Sequence, residues 1–153
     1  LSRGIYGNKT SALKRLSDNI EKLPDNIRNR LVLENCEMSY NIEDLLPISE
    51  KLNIPIIIDY HHDAILNSSQ PAHFYHERVF NVWLTRCIKP KVHISNSVDG
   101  VLETDNKSKR RKHSDLINHF YDSMLKIDID IDVMIEAKLK EQAIFHLRKL
   151  SNN

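Results

Sequence analysis

Glycine is scarce in this sequence: only three occur in 153 residues, at positions 4, 7 and 100. A GxGxxG dinucleotide loop and a Walker A loop both need glycines at spacings that are not present, because the backbone must approach phosphate closely. No nucleotide cofactor is expected. Cysteine is nearly absent too. Cys36 and Cys87 cannot build a disulfide framework or a cysteine-based zinc site. This points to a reduced, intracellular setting, cytoplasm or nucleus. Neither sign of charge is in excess, since 22 Lys and Arg oppose 21 Asp and Glu. Unbroken apolar runs are as short as Ile56-Ile57-Ile58, so no membrane partner is expected. The stretch from Leu1 to Thr10 lacks the apolar core of a signal peptide. With 41% hydrophobic and 28% charged residues, the chain is of globular type, and its length suits a single domain over residues 1–153.

Short β-type runs alternate with longer amphipathic stretches. Strands are expected at Arg30–Glu34, Ile54–Asp59, Lys91–Ser95 and Asp132–Glu136, each apolar or β-branched. Helices are expected at Ser11–Leu23, at Asn41–Asn53 with Asn41 as N-cap, at Phe74–Ile88, at about Ser114–Leu125 and at Glu141–Leu150. Continuous apolar strands separated by helices define an α/β fold with a parallel sheet.

Every strand closes on a residue that can bind a cation or move a proton. Glu34 ends the first and Asp59 the second, with His61 and His62 just beyond; His93 lies late in the third, and Glu136 closes the fourth. In (β/α)8 barrels the chemistry collects at the carboxyl ends of the strands. Taken singly, each has a plain structural reading as a helix cap, a surface histidine or a packed core histidine. Four in succession need four such readings. Oxygen and nitrogen ligands without cysteine suit Zn, Mn or a related divalent ion, and a carboxylate-rich cluster suits hydrolysis at more than one metal. Lys91, two residues before His93, is unusual in a buried strand and needs a partner there. One run, Lys107-Ser-Lys-Arg-Arg-Lys112, is strongly basic and directly precedes His113. Such runs are often solvated loops, but here Lys107, Lys109, Arg110, Arg111 and Lys112 stand at the acidic end of the strands, where DNA phosphates could be gripped.

These segments resemble the ultraviolet damage endonucleases. The resemblance lies in Arg30-Leu-Val-Leu-Glu-Asn35, Glu43-Asp-Leu-Leu-Pro47, Ile54-Pro-Ile-Ile-Ile-Asp-Tyr-His-His62, Lys91-Val-His-Ile-Ser95, Lys112-His-Ser-Asp115 and Met134-Ile-Glu-Ala-Lys-Leu-Lys-Glu-Gln-Ala143, in that order. Gly4-Ile-Tyr-Gly-Asn-Lys9 fits the family's loop before the preceding helix. The resemblance implies a TIM-type (β/α)8 barrel, a cluster of divalent metals (Mn or Zn) and nicking of damaged double-stranded DNA 5′ of ultraviolet photoproducts. It also implies that Glu34, Asp59, His93 and Glu136 hold the central metals and that His62 and His113 serve a neighbouring one. Lys91 matches a lysine beside the metals that is modified in the family. Strand alternation from Asp59 favours His61 as the inward-facing histidine, so His62 rests on the resemblance.

A whole barrel needs about 250 residues, so only the later βα units are expected here, as a C-terminal portion. The segment before the Gly4 loop also departs from the family, with Leu1 where a His is expected and Arg3 in place of a Gly. Two other readings fit strand-end Glu, Asp and His. One is a metal-dependent sugar isomerase or epimerase, which would have no use for the basic run. The other is an inactive remnant that binds DNA or a partner chain.

Overall fold

A computed structural model of the chain describes residues 8–98 and 107–151. Four strands form one parallel sheet in the order β1 (Leu33–Glu34), β2 (Ile56–Asp59), β3 (Lys91–Ile94), β4 (Asp132–Ile135). The main helices are α1 (Lys9–Glu21), α2 (Asp25–Arg28), α3 (Ile42–Leu52), α4 (Tyr60–Ile65), α5 (His76–Thr85), α6 (Lys107–Arg110) and α7 (Glu141–Ser151).

The cap signals act where the sequence places them. Asn41 accepts the backbone N–H of Asp44 at 3.0 Å, and the Asp44 carboxylate accepts the Asn41 N–H at 3.0 Å, a reciprocal capping box that starts α3. Asn53 then closes the helix in the left-handed region at φ 52°, which asparagine tolerates better than most residues. Ile42, Leu45, Leu46 and Ile48 are buried along α3. Across them lie Ile56, Ile58 and Val92 of the sheet, all fully buried, with Val79, Phe80 and Trp83 of α5 in the same core. The Trp83 indole N–H donates to the Ile56 carbonyl at 2.8 Å, so the ring is satisfied at both its apolar and polar ends.

Three segments differ from expectation. The first strand shrinks to Leu33–Glu34, because Arg30 and Leu31 still donate to Ile27 and Arg28 in the turn that ends α2. The helix expected from Phe74 begins as a 3-10 turn, Ala72–Tyr75, before α5. No helix forms over 114–125, where only Met124–Lys126 makes a 3-10 turn. Here tertiary partners replace the helical ladder. The Asn96 amide oxygen accepts the N–H groups of Asn118 and His119, its amide nitrogen donates to the His119 carbonyl, and the carbonyls of Ser114 and Asp115 accept from Lys138 and Leu139.

Both faces of β4 are thinly covered, with Val133 at 41% and Met134 at 46% exposure. Among the described residues, β1 and β4 each pair on one side only. Unpaired parallel edges with apolar neighbours template further pairing. Residues 1–153 alone are therefore expected to self-associate, which sedimentation velocity over a concentration series checks; a monomer at every concentration would contradict it.

Candidate metal centre

Register and pleat bring the polar residues to one face. Asp59 aligns with His93 across β2 and β3, and His93 with Met134 across β3 and β4. Aligned residues of parallel strands point the same way and every second residue repeats the face, which adds Glu136, two beyond Met134. Glu34 aligns with Ile57, two before Asp59, so it joins that face too. Lys91 also lies there, half-buried, roughly 6–7 Å along β3 from His93. Being half-buried rather than buried, it can keep its ammonium near water, so the need for a partner is relaxed.

The side chains meet at the strand ends. His93 Nδ1 lies 3.1 Å from Glu34 Oε1 and 3.3 Å from Glu136 Oε1. His62 Nδ1 lies 3.4 Å from Asp59 Oδ2 and 3.8 Å from Glu34 Oε1. His113 Nδ1 stands further out, 3.9 Å from Glu136 Oε2. Two sets, Glu34 with Asp59 and His62, and Asp59 with His93 and Glu136, each gather their ligand atoms within 4.8 Å of one another. Asp59 is common to both. Its Oδ1 accepts the His62 N–H at 2.9 Å and caps α4, while its Oδ2 is buried without any hydrogen-bond donor. A buried carboxylate oxygen without a donor is costly unless a cation satisfies it, so the donor set fits a divalent ion.

The local field agrees. Burial alone would raise the Glu34 carboxyl, but the hydrogen bond from His93 and the charges of His93 and His62 outweigh it and hold the group below its ordinary range. Burial lowers His93, yet the Glu34 hydrogen bond and the charges of Glu34, Glu136 and Asp59 prevail and its imidazole titrates above the usual value. A cation must displace that proton, so metal uptake is expected to release protons and to strengthen as pH rises. Calorimetry in two buffers of different ionisation enthalpy checks this.

His62 rather than His61 faces the cluster. Strand alternation ends at Asp59, because Asp59 caps α4 and the next residues turn as a helix. His61 is fully buried on another side, where its Nε2–H donates to the Arg110 carbonyl at 2.8 Å and its ring meets the edge of the His113 ring at 5.4 Å between centroids. The basic run is thereby held at the centre. Ser97 bridges His113 in antiparallel fashion, and Val98 N–H donates to the Lys112 carbonyl at 2.9 Å. Lys109 and Lys112 are exposed, Arg110 is half-buried, and the Lys107 side chain lies outside the described residues, as does the Gly4–Gly7 loop. The Arg111 Nε–H donates to Glu37 Oε1 at 2.6 Å.

Two residues of the site were not expected. Asn35 exchanges hydrogen bonds with the backbone of Asp59, donating to its carbonyl and accepting its N–H, both at 2.9 Å, and so holds β1 and β2 in register at the cluster. Glu37 ties Arg111 to the site. Its only sequence signal is an acidic residue three positions after Glu34.

The fold and site define a parallel α/β protein whose strand ends gather carboxylate and imidazole groups that could hold a metal ion. The chain belongs to the UV-endonuclease UvdE family, whose model matches residues 2–153. It is 38% identical to the UV-damage endonuclease of Neurospora crassa, over 95% of this chain and 23% of that protein. It is 35% identical to the UV DNA damage endonuclease of Bacillus cereus strain G9842, over 94% of this chain and 45% of that protein. A putative UV-damage endonuclease of Acanthamoeba polyphaga mimivirus is 34% identical over 94% of this chain and 43% of its own. The crystal structure of SacUVDE superposes with a TM-score of 0.74 at 31% identity, over 95% of this chain and 49% of that one. The chain thus spans less than half the length of these relatives.

Proposed function

We propose that this chain carries the cation-binding face of a DNA repair endonuclease that cuts the phosphodiester backbone of duplex DNA on the 5′ side of ultraviolet photoproducts. The observation that carries this reading is Asp59, a buried carboxylate shared by two ligand sets, with one oxygen that no donor satisfies. Family membership favours a nuclease over a sugar isomerase, and relatives named for ultraviolet damage support the lesion. The four strands, in consecutive parallel order, take the place of four strands of a (β/α)8 barrel.

Glu34, Asp59, His62, His93 and Glu136 would hold divalent ions of the Mn or Zn type, with His113 beside Glu136 serving a neighbouring position. Such ions, when bound, supply Lewis acidity toward a phosphodiester and its attacking water. The rest is work for the chain's own residues. Asn35 and the α4 cap fix the Asp59 carboxylate, Lys91 brings positive charge to the reacting face, and the basic run draws the DNA backbone to the strand ends.

Elemental analysis and nicking of an ultraviolet-irradiated plasmid test the reading. In a full-length protein that carries the whole barrel, Glu34→Ala and Glu136→Ala are each expected to lower bound metal and abolish nicking, because an opened ligand shell no longer places the reacting water. Unchanged metal and intact nicking in both variants would sink the proposal.

The basic run makes a separate prediction. Point charges read phosphate and not base, which suits an enzyme that accepts any sequence around a lesion. Replacing Lys109 and Lys112 by Ala should weaken binding to all duplexes alike and reduce the slope of log affinity against log salt by up to ~2, at roughly 0.9 per contact. Adding Arg111→Ala should change the slope less than Lys112→Ala does, since Glu37 already neutralises that guanidinium. Fluorescence anisotropy across a salt series decides; an unchanged slope would leave the run a solvated surface.

A further inference from the structure

His62 has two ring nitrogens with different surroundings, and a residue without an assigned role stands behind one of them. Nδ1 faces the cluster, 3.4 Å from Asp59 Oδ2, and also lies 2.9 Å from the Asn35 carbonyl. A carbonyl only accepts, so in the metal-free protein Nδ1 carries a proton. Nε2 points away from Asp59, toward Glu37 Oε2 at 3.7 Å. Glu37 is largely shielded, its side chain 15% exposed, and its other oxygen is held by Arg111 at 2.6 Å. The guanidinium therefore fixes the carboxylate with one oxygen turned to the histidine.

We propose that Glu37 is a positioning residue for the cation site, a carboxylate behind His62 that selects the tautomer presenting Nδ1 to the metal and is itself aimed by Arg111 of the basic run. The inference rests on the cation-binding reading given above. A cation that takes Nδ1 displaces the proton shared with Asn35, and the neutral imidazole then carries its proton on Nε2. Glu37 Oε2 is the acceptor within reach there, after a small side-chain rotation. Carboxylate, imidazole and metal in that order is a recurrent way to orient a ligand and raise its basicity. The consequence is mechanical as well as electronic. Arg111 belongs to the segment expected to meet DNA, and it reaches a cation ligand through one carboxylate, while His61 holds the neighbouring Arg110 carbonyl. Basic segment and ligand are thus joined side by side through adjacent histidines.

The test uses Zn2+, which is diamagnetic, with the whole chain and its Glu37→Ala, Glu37→Gln and Arg111→Ala forms. Nitrogen-15 NMR of the His62 ring reads the tautomer, and calorimetry reads Zn2+ affinity. In the parent chain, zinc is expected to strip the proton from Nδ1 and leave one on Nε2. Glu37→Ala should weaken zinc by about tenfold or more, the range for partners of metal-bound histidine. Glu37→Gln, which keeps an acceptor, should lose less, and Arg111→Ala should act in the same direction as Glu37→Ala. Zinc affinity and tautomer unchanged in Glu37→Ala would overturn the inference while the cation site stands. Zinc bound with the proton still on Nδ1 would overturn it in another way, by making Nε2 the ligating atom and Glu37 a ligand. No zinc binding by the parent chain would overturn both this inference and the functional reading. Nicking enters none of these outcomes.

Discussion

Asp59→Asn is expected to cost the protein its cation and at the same time to stabilise the metal-free fold. The amide is nearly the same shape, and its oxygen can still accept the His62 N–H that caps α4. What it removes is the charge on an oxygen that is fully buried and has no donor. Leaving such a group unsatisfied costs about 1–3 kcal/mol, more when charged, so the variant's metal-free melt should rise by that order. With metal present the sign reverses. Asp59 serves both ligand sets, and losing a shared anionic ligand should weaken Mn2+ or Zn2+ by more than the roughly 10–100-fold typical of outer-sphere partners. Ligand binding stabilises the folded state by mass action, so added metal should raise the parent's melting temperature and leave that of the variant nearly unmoved. Calorimetric melts of both proteins, with and without metal, check the pair of signs. A metal-free variant less stable than the parent would show that Asp59 is already compensated by His62 and His93.

A second large effect is expected at His76, away from the cation site. The ring is buried and packs at 5.0 Å between centroids from Phe80, and its Nε2 shares a 2.8 Å hydrogen bond with the Tyr60 hydroxyl. Burial, aided by the charge of His73, pushes the imidazole down to about 4. In the unfolded chain it titrates at its ordinary value near 6.5. A depressed folded value means that the unfolded state binds the proton first. The neutral ring's contribution is therefore complete above about pH 6.5 and is lost as pH falls toward 4. At 1.36 kcal/mol per pH unit, the loss over that window is about 3 kcal/mol. Urea denaturation as a function of pH should show this decline in the parent. In His76→Gln, whose amide can still hydrogen-bond Tyr60, the slope between pH 6.5 and 4 should flatten. Parallel pH profiles for the two proteins would mean that the ring protonates in place.

Much of the architecture was legible along the chain because its causes are local. Asn41 followed by Asp44 starts a helix wherever the chain goes, and the all-apolar Ile56–Ile58 run reads as a strand buried on both faces. Strand-end Glu34, Asp59, His93 and Glu136 were legible for a similar reason: pleat and parallel register leave aligned positions no choice of face. The helix expected over 114–125 is the counter-example. Leu116, Ile117, Phe120, Tyr121 and Met124 follow helical spacing, yet Asn96 and the Lys138–Leu139 backbone take the hydrogen bonds that a helix would have used. No periodicity within the segment reveals a competitor some 20 residues away.

The same division runs through the site. The residue types and their order along the strands were determined by the sequence alone, and with them the donor set of a candidate cation site. The choice of His62 over His61 was not, because it depends on Asp59 capping α4 and turning strand alternation into a helical step. Nor was Glu37, 74 positions from Arg111, whose carboxylate acquires its role only when the basic run is laid back against β1 and α4. Alternation and capping act between neighbours in sequence and can be read from it. The orphaned oxygen of Asp59 and the carboxylate behind His62 are facts about distance between remote groups, and folding alone sets those distances.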